Sequence, residues 1–333
     1  MRITGIIRYT LLLMPLLAIA CGGDSSETAN EGMQSQMPVS FSAGLAVSRQ
    51  TRANITTENL WDGYVQVAVY DKNNTRVLPF RPNTTTTAEA TTALLPVGSN
   101  FYWALNPEER HFTAWHPYAS SDNDSPWTAE RPLSVNVDQS TLTNSDYQSQ
   151  DVLYAPEISF SYPNSGLLKF YHQLCRVVVN VASTSTTNIV KEVKLGDNNI
   201  GVQGNITTPG STGEMATGTK TVWGSVSETS TITMRKNTDH SNDAGFYAVY
   251  ECILPPQNGG SYDKALFTIK AEKNNVTKTY IYKDSYSFLP GYQYTYNLML
   301  SKSGAVTIAT VSVGNWGTVN FASGDADVPD DTH

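Results

Sequence analysis

The feature that most constrains this chain is alternation. Apolar residues recur at every second position in short runs, and no run keeps a helical period over several turns. A period of two sends successive side chains to opposite faces of an extended segment, so such runs fold as half-buried strands. In the first half the predicted strands are Val39–Ala43, Tyr64–Tyr70, Asn100–Leu105 and Phe112–Trp115. In the second half the longest is Leu168–Ala182. It is followed by Lys191–Leu195, Gly201–Ile206, Ala244–Leu254, Ala265–Ala271, Lys278–Tyr282, Gln293–Leu300 and Ala305–Val313. Turn residues separate them, as at Asp71-Lys72-Asn73-Asn74, Tyr162–Gly166 and Phe288–Tyr292. Short strands spaced by such turns are the pattern of an all-β sandwich. The Thr-rich tract Thr84–Thr92 reads as a loop or edge, and Ser120–Ser125 and Pro209–Ser230 read as loops.

Composition agrees. Only 16% of the 333 residues are charged, while Thr, Ser, Asn and Tyr are abundant, which favours strands over helices. The net charge is -8 with basic residues scattered, so no basic patch points to nucleic acid or to anionic lipid head groups.

Residues 1–20 read as an export signal rather than as structure. Arg2 and Arg8 give a basic start, and Tyr9–Ala20 is an apolar run too short to span a bilayer. It ends in Leu17-Ala18-Ile19-Ala20-Cys21, which resembles a bacterial lipobox and makes Cys21 the expected lipidation site; a cleaved signal with an incidental Cys21 is the alternative. Several acyl chains, at about 0.8 kcal/mol per buried CH₂, would anchor the chain stably. Residues 21–38 then read as a flexible tether. The acidic residues in Gly22–Glu27 resemble the surface-export signal of outer-membrane lipoproteins. Beyond the tether we expect an N-terminal sandwich over 39–165, a C-terminal sandwich over 166–323, and an acidic, disordered tail over 324–333.

Residues that could carry chemistry are sparse. Cys175 shares a strand face with Val177 and Val179, and Cys252 shares one with Ala248, Tyr250 and Leu254. Two buried free thiols are the favoured reading over a disulfide. His111 and His116 fall on opposite strand faces without zinc-type spacing, and His172 reads as a satisfied strand histidine beside Phe170 and Leu174. Asp122–Ser125 and Asp239–Asp243 lack the glycine and distal glutamate of a calcium loop and read as solvated turns. No nucleophile elbow, phosphate loop or dinucleotide fingerprint is present. Hence no catalytic residue, metal or cofactor is expected, and a sandwich hydrolase is the weakest alternative. The six Trp and 18 Tyr read mainly as core and domain-packing aromatics.

Several short segments in a fixed order carry a resemblance. They are Cys21; Phe41-Ser42-Ala43 leading to Thr51-Arg52-Ala53; Trp61; Ala114-Trp115-His116-Pro117-Tyr118; Asp151–Ala155; Phe170–Val177; Leu289–Tyr296; and Trp316. Together they resemble the fimbrillin-like family of Bacteroidota surface proteins, departing from it at Trp61-Asp62-Gly63-Tyr64. The resemblance implies two tandem transthyretin-like, Greek-key β-sandwiches. It also implies a pilus subunit or surface adhesin that assembles by donor-strand exchange after an Arg-specific cut. Carried onto this sequence, Arg49 and Arg52 are the candidate cleavage sites, and Val39, Phe41, Ala43 and Val47 are the core face of the strand removed. Val306, Ile308, Val311 and Val313 are the candidate donor strand. The implied partners are other pilin subunits, the outer membrane through the lipid, and a host receptor or glycan. The alternative is a surface lipoprotein that never polymerises and binds host or dietary glycan or protein.

Overall fold

The computed structural model describes residues 37–45, 66–83, 91–104, 108–122, 127, 131–183, 189–206, 227–238, 248–301 and 303–316. All of them lie within one compact unit, Gln36–His333. The protein is all-β, as its alternation predicts, with one short α-helix and one short 3₁₀ helix among the described residues.

Seven strands form the first sheet: β1 (Phe41–Leu45), β2 (Val67–Asp71), β3 (Arg76–Pro82), β4 (Thr91–Pro96), β5 (Arg110–His116), β7 (Leu153–Phe160) and β8 (Gly166–His172). Their order is β1-β4-β3-β2-β5-β7-β8, and β8 pairs with β1 in parallel, so the sheet closes on itself. Closure removes the free edges that would otherwise template another chain. Its interior is aromatic, with Phe41, Phe80, Phe101, Phe112 and Trp103 buried together. The β2–β3 turn shows why Asp71 ends a strand. Its Oδ1 accepts from the backbone N–H of Asn73 (3.0 Å) and Asn74 (3.4 Å), and Thr75 takes a left-handed φ of 49°.

The second half is two facing five-stranded sheets. One runs β11 (Glu228–Thr233), β10 (Ile189–Ile206), β14 (Gln257–Lys273), β15 (Val276–Phe288), with β6 (Arg131–Ser134) also paired to β10. The other runs β12 (Arg235–Asn237), β13 (Ala248–Leu254), β9 (Cys175–Ser183), β16 (Tyr292–Leu300), β17 (Val306–Asn315). Valines and leucines of both sheets fill the space between them, and Phe267 meets Tyr296 edge-on at 4.8 Å. Asn274 and Asn275, at φ 50° and 61°, make the two-residue turn that pairs β14 with β15, a geometry asparagine tolerates better than branched residues. The helix α1 (Asn144–Ser149) starts at Thr143, whose side chain accepts from the Asp146 N–H. Near it, the Gln139 side chain hydrogen-bonds both backbone groups of Ile253 (2.7 and 3.0 Å).

Three strand expectations are corrected. The run Leu168–Ala182 is two strands, because the chain leaves the first sheet at Gln173-Leu174 and enters the β9 sheet. β8 thus pairs within the first sheet, and β6, though earlier in sequence, pairs with β10. Of Asn100–Leu105, the described residues 100–104 hold a single bridge, Pro38 to Tyr102. The end of the Thr-rich tract is strand: β4 lies between β1 and β3.

Candidate assembly site

The candidate removed strand lies inside the first sheet. Its register sets Phe41 opposite Leu94 on the antiparallel β4 side and opposite Gly166 on the parallel β8 side. The pairing extends upstream, since Val39 N–H donates to Phe101 O and Trp103 N–H to Met37 O, both at 2.9 Å. Residues 37–45 therefore form one ribbon bonded to three neighbours. Val39, Phe41 and Ala43 are 1%, 3% and 0% exposed. Phe41 is the centre of the aromatic interior, 4.8 Å from Phe112, 5.3 Å from Phe80 and 5.9 Å from Phe160. At about 1.5–3 kcal/mol per large apolar side chain buried, Val39 and Phe41 alone contribute several kcal/mol, a large share of the usual 5–15 kcal/mol of a domain. Cys21, Val47, Arg49 and Arg52 lie outside the described residues.

The candidate donor strand has the opposite setting. Among the described residues β17 pairs only with β16, at the edge of its sheet. A register shift opposite Asn297/Leu298 brings Val306, Ile308, Val311 and Val313 across from Leu300, Leu298, Tyr296 and Tyr294. Directly paired residues share a face, so all four point to the core side. Val306 is half-buried there, while Ile308, Val311 and Val313 are 36%, 46% and 53% exposed. Their core-side face is therefore left largely open to solvent.

The end of β17 is held at a polar seam. Trp316 N–H donates to Gly291 O (2.7 Å), and its ring stacks on His172 at 4.1 Å with 9° between planes. His172 Nδ1 lies 2.7 Å from Asp151 Oδ2, and His116 Nδ1 lies 2.7 Å from the Asp151 backbone oxygen. Burial pushes His116 below its ordinary value, against the opposing pull of Asp151. A neutral His116 with Nδ1–H donating to that carbonyl is therefore the stable form.

Two buried ion pairs escaped the sequence reading. Arg110 pairs with Asp71 at one end of the first sheet, and Arg176 pairs with Glu251, which also takes Arg235 at 3.1 Å. A signal for Arg110 existed, because it shares the inward parity of Phe112 and Ala114 and a charge there demands a partner. The partner, 39 residues away, had no signal. Cys175 and Cys252 are free and buried, and burial pushes both thiols up, which keeps them protonated and inert. His111 pairs with Glu157 at 2.9 Å. Among the described residues there is no cluster of metal-ligating side chains, and no helix is long and apolar enough to cross a membrane.

A family model described as fimbrillin-like matches residues 51–316. The chain belongs to the fimbrillin-like family. The match begins at Thr51, beyond β1 and between Arg49 and Arg52. The fold of this fimbrillin-like chain is similar to a candidate cell adhesion protein from Bacteroides uniformis ATCC 8492, at 14% identity, over 86% of this chain and 99% of that one, with a TM-score of 0.57. A candidate cell adhesion protein from Bacteroides ovatus ATCC 8483 is similar at 16% identity, over 85% and 99% of the two chains, with a TM-score of 0.58. No curated protein matches the chain. Membership of the fimbrillin-like family supports a fimbrial subunit or adhesin at the cell surface, a structural rather than an enzymatic role.

Proposed function

We propose that this protein reaches the outer membrane as a precursor anchored through a lipidated Cys21, and that an Arg-specific cut, which also frees it from that anchor, makes it a pilus subunit that joins its neighbours by donor-strand exchange. A cut after Arg49 or Arg52 severs the ribbon at 37–45 from the rest of the chain. Its departure opens the first sheet between β4 and β8, leaving two unpaired edges around an aromatic slot. The β17 segment of another copy then fills that slot with its apolar face, antiparallel to β4 and parallel to β8 as β1 was. The observation that carries this reading is the contrast in place: an N-terminal strand in mid-sheet with a buried face, and a C-terminal edge strand with an exposed one. An unpaired edge lined by an apolar slot captures extended segments through main-chain hydrogen bonds and alternate side-chain pockets.

The test is treatment of the purified, folded protein with an Arg-specific protease, followed by mass analysis of the cut and an unboiled gel. Cleavage at Arg49 or Arg52 with a ladder of multimers is the expected result. Resistance at both positions, or cleavage that leaves a monomer, refutes strand exchange and leaves a surface adhesin.

A further inference from the structure

A cleft of about 540 Å³ opens at the end of the first sheet, between the β2–β3 turn, the segment 101–104 and the start of β5. We infer that it binds a neutral pyranoside, with the Tyr102 ring against the sugar face and Glu108 and Asn74 at its hydroxyls. The inference rests on the adhesin side of the proposed role and not on strand exchange, since every group involved is in place in the uncut chain.

The walls are fixed before any ligand arrives. The Arg110 guanidinium is 6% exposed, ion-paired with Asp71, and its Nη1 donates to Tyr102 O at 2.8 Å. Its carbon lies 5.2 Å from the Phe112 ring centre and 5.6 Å from that of Trp103. Asp71 also accepts from Asn74 Nδ2 at 2.8 Å, so one buried carboxylate ties both sides of the cleft together. Such support is what holds a binding constellation in place.

The polar atoms left over define the ligand. Glu108 is exposed, and no hydrogen bond or ion pair engages its carboxylate, the Asn74 Oδ1 or the Tyr102 hydroxyl among the described residues. Acceptors left without a donor suit neighbouring hydroxyls, each of which gives one hydrogen bond. Tyr102 is 47% exposed, which leaves its ring free to stack on the C–H face of a sugar. The volume lies within the range of about 300–1,000 Å³ typical of small-ligand sites.

Charge narrows the class. Asp71 neutralises Arg110, and nearby Lys72 is engaged by Glu157 at 2.9 Å. Glu108 then stands as the unmatched charge and repels carboxylated or sulfated sugars. Rejection of that kind is a specificity element in its own right.

The test uses the uncut protein and calorimetric titration with four neutral probes: lactose and the methyl pyranosides of galactose, mannose and N-acetylglucosamine. 3′-Sialyllactose serves as the anionic probe and acetyl-lysine methylamide as the cationic one. We expect saturable binding of at least one neutral probe with Kd below about 10 mM. Tyr102→Ala should weaken it about tenfold with an unchanged melting temperature, since the ring is a surface group. Glu108→Gln should narrow the gap between lactose and 3′-sialyllactose. Absence of saturable binding by every neutral probe, binding that survives Tyr102→Ala, or a preference for the anionic or cationic probe overturns the inference.

Discussion

β1 and β17 are written in the same alphabet and end in opposite circumstances. Both alternate apolar side chains with small or polar ones, and both turn apolar residues toward a core. β1 is bonded on both edges and covered by a ring of aromatic residues, whereas β17 is bonded on one edge and largely uncovered on the face it shares with Tyr294 and Tyr296. Period two thus fixes that a segment is a strand and which side faces inward. Whether that side is buried depends on how far the opposing layer extends, which no local pattern encodes. A strand that leaves its slot costs the fold heavily, while a strand at an open edge can change partners at small cost.

That asymmetry can be broken or sharpened by substitution. The largest effects belong to the first sheet. Phe41→Ala should destabilise the uncut protein by about 3–5 kcal/mol in chemical denaturation, because four aromatic neighbours would line the cavity left behind. Arg110→Ala should cost about 3–5 kcal/mol in the same assay, by stranding the fully buried Asp71 carboxylate. An effect near zero for either would mean that the closed sheet is not a stability-bearing unit.

An intermediate effect is expected at the seam that clamps the end of β17. His116 is depressed by burial, so the unfolded chain takes up a proton near pH 6.5 that the folded chain refuses. Stability from this group is therefore complete above about pH 6.5 and declines as pH falls below it, by at most about 1.4 kcal/mol per pH unit. Melting temperatures at about pH 7.5 and 5.5 should differ less in His116→Gln than in the parent. An equal acid loss in both would show that other groups set the pH response. The smallest effects belong to β17. Val311→Ser and Val313→Ser should shift stability by no more than about 0.5 kcal/mol, as surface changes do, while reducing multimer formation after cleavage. A loss of stability comparable to that of Phe41→Ala would erase the contrast between the strands.

Much of this was legible in the sequence, and the gaps have physical causes. Val39, Phe41 and Ala43 were readable as one buried face because each strand position alternates cleanly. The break inside Leu168–Ala182 was not, since no Gly or Pro marks it and apolar residues continue through Leu174 into the second core. Thr91–Pro96 was hidden by its composition, although β-branched Thr suits a strand flanked on both sides. The cleft at Tyr102 combines the β2–β3 turn with the start of β5, some 39 residues apart in the chain, through a pairing of Arg110 and Asp71 that only the closed sheet creates.

The central claim is that the slot of β1 will accept the segment of β17. Binding of a synthetic peptide with the sequence of residues 305–315 to cleaved and uncut protein, followed by fluorescence anisotropy, measures this directly. Stoichiometric uptake by the cleaved protein alone, competed by a peptide of residues 37–45, is the expected result. Equal uptake by both forms, or uptake by neither, contradicts the account.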